Sequence, residues 1–254
     1  MKSDQILLMY NYLIKIEYKG TNFVGWQYQK NGVSIQEKIE KALKKILKSK
    51  IKIIGAGRTD AGVHALGQFA NFTVNKKIEN KNKFLNSINF FLQKNLISII
   101  NINNKKKEFH SRYSAKERIY EYQIINRPSC LSLDRDTAWH VKKKIDISLL
   151  KKGAKILEGK HDFSTYRASS CSAKSPVKKM NWIKIKKNGD KIFIKFSSKS
   201  FLQNQVRSMV GCLHYLAINR WSLNNFKKSF KSKKRAACAP PAPACGLYLY
   251  NIKY

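Results

Sequence analysis

Acidic residues are scarce in this chain: 15 Asp and Glu stand against 51 Lys and Arg, a formal charge of +36 over 254 residues. So large a deficit points to a polyanionic partner, which the basic surplus would draw in at low salt. Arginine is scarce too, with 9 against 42 Lys. Asn and Ile are abundant, as A/T-rich coding would make them, so compositional drift is a second source of the Lys surplus. Cysteine is sparse. Cys130, Cys171, Cys212, Cys238 and Cys245 are odd in number, far apart and without a C-x-x-C, which argues against a disulfide framework and a zinc cage. The five His form no H-E-x-x-H, and no G-x-x-x-x-G-K-S/T phosphate loop occurs. No apolar run reaches the roughly 18 residues of a membrane span, and the N-terminus lacks a basic-then-apolar signal pattern. A reducing cytoplasm and no membrane partner are therefore expected. With 43% apolar residues the chain is too hydrophobic to be disordered.

No long Pro/Gly/Ser linker divides the sequence, but its periodicity changes repeatedly. Residues 12–18 alternate as a strand. Ser34 with Glu37 three residues on forms a capping box, and Ile35, Ile39, Ala42, Leu43, Ile46 and Leu47 then keep helical spacing. Residues 51–54 and 67–74 read as strands, 81–92 as a helix and 96–102 as a strand. This β-α-β-β-α-β order is that of a ferredoxin-like sheet with helices on one face. From about Glu108 a second α+β part follows. Its expected strands are 118–125, 138–141, 180–187, 191–196 and 247–252, and its expected helices 147–157, 201–218 and 223–230. Asn188-Gly189-Asp190 marks a hairpin turn.

The segment from Gly55 to Gln68, G-A-G-R-T-D-A-G-V-H-A-L-G-Q, holds four glycines, one carboxylate (Asp60) and one guanidinium (Arg58). In an extended chain residues two apart share a face, so Arg58 and Asp60 would point into the same space. By itself the pattern also fits a glycine-rich turn with a surface ion pair. The order G-R-T-D-A-G-V-H, however, resembles the catalytic-aspartate motif of the tRNA pseudouridine synthase A family. Further ordered similarities run along nearly the whole chain. They are G-T-N-F-V-G-W-Q from Gly20, F-H-S-R-Y-S-A from Phe109, R-I-Y-E-Y from Arg118 and D-F-S-T-Y-R-A from Asp162. Two more follow, F-L-Q-N-Q-V-R-S-M-V-G from Phe201 and A-P-A-C-G-L-Y-L from Ala242. The chain departs from the family at Asn89-Phe90-Phe91-Leu92-Gln93, where N-x-x-L-P is usual, and at Asn204-Gln205 before Val206-Arg207.

The resemblance implies an α+β pseudouridine synthase fold: two ferredoxin-like (RRM-like) α/β halves with sheets joined around a central cleft. Residues 1–107 would carry the catalytic Asp loop and 108–254 would complete the cleft. It implies a tRNA substrate, with isomerisation of uridines at positions 38–40 of the anticodon stem-loop, and a homodimer. The reaction moves the C1′ bond from uracil N1 to C5 without redox change, so no cofactor or metal is needed. Asp60 would act as nucleophile or as initiating base, alternatives the sequence leaves open. Arg207, on an otherwise apolar helix face, is the candidate charge partner that keeps Asp60 ionised, or else a guanidinium reaching solvent. Tyr120 would stack on the target uracil, while Tyr122 is a core or wall residue. Arg58 would fill the space left by the extruded base. Arg112, Arg118 and Arg167 are candidate phosphate clamps or structural ion pairs, Leu247 a pocket wall and His64 a packing residue. Arg→Lys at Arg58, Arg112, Arg118, Arg167 and Arg207 is expected to cost more activity than at Arg220 or Arg235, because only Arg offers a bidentate fork. A non-catalytic RRM-like RNA-binding protein is the competing reading. It would need the K/R-G-F/Y-G/A-F-V-x-F/Y aromatic pattern, which is missing.

Overall fold

A computed structural model describes residues 9–254. The start of the chain, where a signal pattern was sought, lies outside the described residues. The chain forms two compact units, one ending at Ala115 but including Tyr254, the other spanning Lys116–Lys253.

The first unit contains β1 (Tyr10–Tyr18), α1 (Ile35–Leu47), β2 (Ile54–Gly55), β3 (His64–Val74), α2 (Lys81–Leu92) and β4 (Ile97–Lys105). Its strands lie in the order β4-β1-β3-β2, every pair antiparallel. This is the 4-1-3-2 arrangement of a ferredoxin-like unit, as the element order predicts. Alternation explains the core: Tyr12, Ile14 and Ile16 of β1 are buried, opposite Phe72, Ala70 and Gln68 of β3. Tyr12 stacks on Phe72 and Phe72 on Phe84 of α2, with ring centroids 5.8 and 6.3 Å apart. Each such fully buried side chain contributes roughly 1.5–3 kcal/mol of transfer free energy. The Ser34 hydroxyl accepts the Glu37 N–H at 3.1 Å and starts α1. Glu37 itself turns to Lys41, so the capping box is half formed.

Gln93 stands where the family has proline, and its backbone N–H donates to the Asn89 carbonyl. A proline could not make that bond. The Asn89 amide in turn exchanges two hydrogen bonds with the Ile99 backbone, at 3.0 and 2.7 Å, clamping α2 to β4. The loop after α2 is thus fastened without the proline.

The first unit extends past residue 107 because residues 106–115 are tied to its strands. The Asn11 amide donates to the carbonyls of Lys106 and Phe109 at 3.0 and 2.9 Å. Its oxygen accepts from the Asn71 amide, and the Asn71 oxygen accepts the Ser111 N–H at 2.9 Å.

The second unit contains β5 (Glu117–Asn126), β6 (Trp139–Val141), α3 (Ile147–Leu157), β7 (Gly159–Asp162), β8 (Val177–Asn188) and β9 (Lys191–Ser198). After these come α4 (Gln205–Ala217), α5 (Leu223–Lys231) and β10 (Leu247–Lys253). The strand order β10-β5-β9-β8 repeats the 4-1-3-2 arrangement, with α3 and α4 as its helices. To it are added β7 beside β8 and β6 parallel to the end of β5. Tyr122, Ile124, Ile192, Ile194, Phe196 and Leu249 form its buried sheet face, and Met209, Val210, Leu213 and Leu216 are the buried side of α4. The β8–β9 hairpin turns through Gly189 at φ +58°, a left-handed conformation that glycine adopts without strain.

The second unit also shows where periodicity misleads. The apolar spacing from Phe201 predicts a helix there, but α4 begins only at Gln205. Asn204 adopts φ +61°, and the Gln205 side chain accepts the Leu202 N–H at 2.8 Å, so residues 201–204 form a turn.

Candidate active site

Asp60 lies in the loop between β2 and β3, and the chain from Gly20 to Trp26 forms its cradle. The Trp26 N–H donates to the Thr59 carbonyl at 3.1 Å. The hydroxyls of Tyr18 and Thr59 are 2.8 Å apart. Gly25 has φ +111°, and a Cβ there would sit 2.6 Å from the Thr59 oxygen. A Cβ at Gly20 would lie 2.0 Å from the Val63 oxygen. Two family-like glycines therefore let one loop pass directly against the other. Further bonds fix the flanks: Ala56 N–H to the Phe69 carbonyl at 2.7 Å, and the Gln68 amide to the Gly57 carbonyl at 2.8 Å.

The loop alternates in exposure. Arg58 is exposed, Thr59 buried and Asp60 half-buried. Thr59 acts as the anchor, and its neighbours on either side are presented outward. His64 is buried and its Nδ1 accepts the Gly20 N–H at 3.0 Å, so that nitrogen carries no proton. This is the packing role expected of it.

Arg112 belongs to the same unit. The Ser111 hydroxyl donates to the carbonyl of Ile54, the first residue of β2, which runs into the Asp60 loop. Arg112 is exposed next to Tyr113, its guanidinium carbon 5.7 Å from that ring. Arg58, Asp60 and Arg112 thus come from one unit, although the sequence places Arg112 in the second half.

The second unit carries Tyr120, Arg118, Arg167, Arg207 and Leu247. Tyr120 on β5 is 8% exposed and meets Phe201 edge to face, with centroids 5.0 Å apart. Arg207 on α4 is half-buried. Its Nε donates to the Ala242 carbonyl at 2.7 Å, and its own carbonyl accepts the Ala242 N–H at 3.0 Å. A second guanidinium nitrogen lies 3.4 Å from the Asn204 side-chain oxygen. Asn204, the first of the two residues that depart from the family pattern before Val206-Arg207, therefore helps orient Arg207. Leu247 is buried at the start of β10, paired with Tyr122. Burial holds the Tyr122 hydroxyl well above its ordinary pKa, and it donates to the Pro243 carbonyl at 2.7 Å. Of the core and wall alternatives for Tyr122, its complete burial makes it a core residue. Arg118 donates to the Lys199 carbonyl, and Arg167 to the carbonyls of Cys171 and Ala173 at 2.6 and 2.8 Å. Arg118 and Arg167 each hold a backbone segment in place.

Sequence reasoning assigned no role to Phe201, Thr59 or Tyr113. All three lie inside family-like motifs, but only the fold reveals that one backs Tyr120, one anchors the loop and one is exposed. Among the described residues no group of three or more His, Cys, Asp or Glu could hold a metal ion, and no helix is long and apolar enough to cross a membrane.

A family model described as tRNA pseudouridine synthase matches residues 14–114 and 154–254. Among curated relatives, a tRNA pseudouridine synthase A of Pelagibacter ubique is 55% identical over 246 residues, covering 97% of this chain and 100% of the relative. A protein of that description from Parvibaculum lavamentivorans is 41% identical over 97% of this chain and 100% of its own length. Another from Maricaulis maris is 40% identical over 97% and 98%.

Proposed function

The chain belongs to the tRNA pseudouridine synthase family, and on that premise we propose that it converts uridines 38–40 of the tRNA anticodon stem-loop to pseudouridine, with Asp60 starting the reaction. The observation that carries this reading is the clamped loop: a half-buried carboxylate next to buried Thr59, with Arg58 exposed on the other side. The N1–C1′ bond breaks, the uracil turns, and C5 bonds to C1′. The C5 proton leaves to solvent and N1 gains one, so no outside group or electron is needed. Asp60 serves either by attacking the sugar or by removing a sugar proton to begin elimination.

The other groups are assigned by their chemistry. Arg207, its guanidinium aimed by Ala242 and Asn204, keeps the carboxylate ionised against desolvation. Tyr120, backed edge-on by Phe201, stacks on the target base. Arg58, exposed at the loop tip, fills the vacated stack. Leu247 is an apolar wall. Arg112 takes phosphate, and Arg118 and Arg167 add positive field to the bracketing they perform. The enzyme works in the cytoplasm as a homodimer, which gives a stem-loop a second surface to lean on.

The test uses tRNA tritiated at uracil C5. Wild-type protein should release tritium to water, and Asp60→Asn should bind the tRNA without releasing it. Binding without release by the wild type overturns the proposed reaction, while release by Asp60→Asn overturns the role of Asp60.

A further inference from the structure

Tyr113 is 74% exposed, the most exposed aromatic ring among the described residues. A single exposed apolar residue needs no explanation, but this ring is held. His110 lies against it with centroids 4.3 Å apart and ring planes at 33°. The backbone N–H groups of Arg112 and Tyr113 reach the His110 Nδ1 at 3.2 and 3.4 Å. The Tyr113 and Ser114 N–H groups also reach the His110 carbonyl at 3.1 and 2.9 Å, closing a tight turn. Ser111, inside that turn, is bonded to Ile54 and Asn71. The turn is therefore anchored to β2 and β3, which flank the Asp60 loop.

The result is a stiff, exposed ring with a guanidinium over it at 5.7 Å, on a chain with a charge of +36. Unpaired nucleotides are recognised by an aromatic or guanidinium plane for the base and a cation for the phosphate. The ring's ordering by His110 is settled before any ligand arrives, so little entropy is lost on stacking. We infer that Tyr113 stacks on an unpaired nucleobase of the bound tRNA while Arg112 holds the adjoining phosphate. This rests on the reading that tRNA is the substrate.

The two contacts differ in their response to salt. Tyr113→Ala removes stacking but no charge, so tRNA binding should weaken roughly 5- to 150-fold with an unchanged slope of log K against log salt. Arg112→Ala should lower that slope by about one. Tyr113→Phe should bind as the wild type does. Tyr113→Leu keeps apolar bulk on an exposed site but should bind as weakly as the alanine variant. In tritium release the loss should sit in KM, with kcat kept within about threefold. The substrate reading fails if the wild type releases no tritium. The stacking inference alone fails if the wild type turns over and Tyr113→Ala or Tyr113→Leu binds as tightly as it does. It also fails if light scattering shows that either variant dissociates into smaller species, because the ring would then be a subunit contact.

Discussion

Replacing Gly25 by Ala tests whether the Gly20–Trp26 cradle sets the position of Asp60. Two effects act at once. Gly25 has φ +111°, beyond the left-handed basin that other residues tolerate, which costs about 1–2 kcal/mol for an L side chain. The new methyl would also lie 2.6 Å from the Thr59 oxygen and 3.2 Å from the Asp60 carbonyl carbon, both backbone atoms. Reaching ordinary contact at 3.4 Å from 2.6 Å requires the Thr59 carbonyl to retreat by about 0.8 Å. That retreat stretches the Trp26 N–H bond to Thr59, now 3.1 Å, and adds about 1–2 kcal/mol. The sum is about 2–4 kcal/mol of stability.

Gly189→Ala is the reference for a left-handed glycine without a collision. Gly189 has φ +58° in the β8–β9 turn, and nothing lies within 4 Å of a Cβ there, so its cost should be about 1 kcal/mol. Urea denaturation of both variants gives by difference the extra cost at Gly25, its wider φ and the collision together. Tritium release gives the consequence for the site: if Asp60 has its proposed role, a shift approaching 1 Å next to it lowers kcat/KM about a hundredfold, whereas Gly189→Ala should leave it unchanged. If Gly25→Ala is no less stable than Gly189→Ala and keeps kcat/KM within about threefold, the cradle does not position Asp60 and the argument from close approach is wrong.

Arg58→Ala should nearly abolish turnover on folded tRNA while leaving the melting temperature within about 2 °C, since Arg58 is exposed; normal turnover would exclude a role in base extrusion. Asn89→Ala should destabilise by about 1–3 kcal/mol in urea because it strips two hydrogen bonds from the Ile99 backbone. Burial, reinforced by Arg220 and Lys143, lowers the His214 pKa from 6.5 to about 4. Between those values the unfolded chain holds a proton that the folded one refuses, so stability should fall as pH drops from 6.5 to 4 and be flat above 6.5 with respect to this group. His214→Phe, which keeps a ring against Trp139, should remove that part of the slope in pH-dependent melting.

Both units were legible in the sequence because their strands and helices bury one face and so carry periods of 2 and 3.6. Ser34, Lys81 to Leu92 and the Asn188–Lys191 turn illustrate how local signals and tertiary structure agree. What was not legible depends on contacts distant in sequence. Ile51 and Ile53 read as strand residues, but β2 is only Ile54–Gly55, because Glu40 of α1 takes the Ile53 N–H at 3.0 Å and draws that backbone away from the sheet. Residues 201–204 have helical spacing, yet Asn204 turns left-handed to start α4. In the candidate site, Asp60 and Arg58 were readable from a dense local motif. The reason for Gly20 and Gly25 was not, since it lies in the carbonyls of Val63 and Thr59 some forty residues away. Tyr113 lies within a family-like motif, but exposure is a property of the fold and leaves no mark in composition.

The arginines show how a Lys-rich chain still separates two uses of positive charge. Arg207 holds Ala242 and Asn204, Arg167 holds the carbonyls of Cys171 and Ala173, and Arg118 holds that of Lys199. Arg127 likewise joins Ser129, Cys130 and Asp190, and Arg235 joins Thr165 and Ser208. A planar fork can satisfy two acceptors at fixed angles, whereas an ammonium is a point charge on a flexible stem. Retention of Arg therefore follows from bracketing loops as well as from anion recognition. Arg235, one of the two positions where Arg→Lys is expected to cost less, is itself such a bracket, so its replacement is no neutral reference. Arg58 and Arg112 are different: both are exposed, both sit on loops fastened by other residues, and Arg112 leans on a ring that is itself open to solvent. Charge presented outward on a rigid support is the form in which a guanidinium meets a ligand, and in the first unit it occurs on the loop of Asp60 and on the turn bonded to β2.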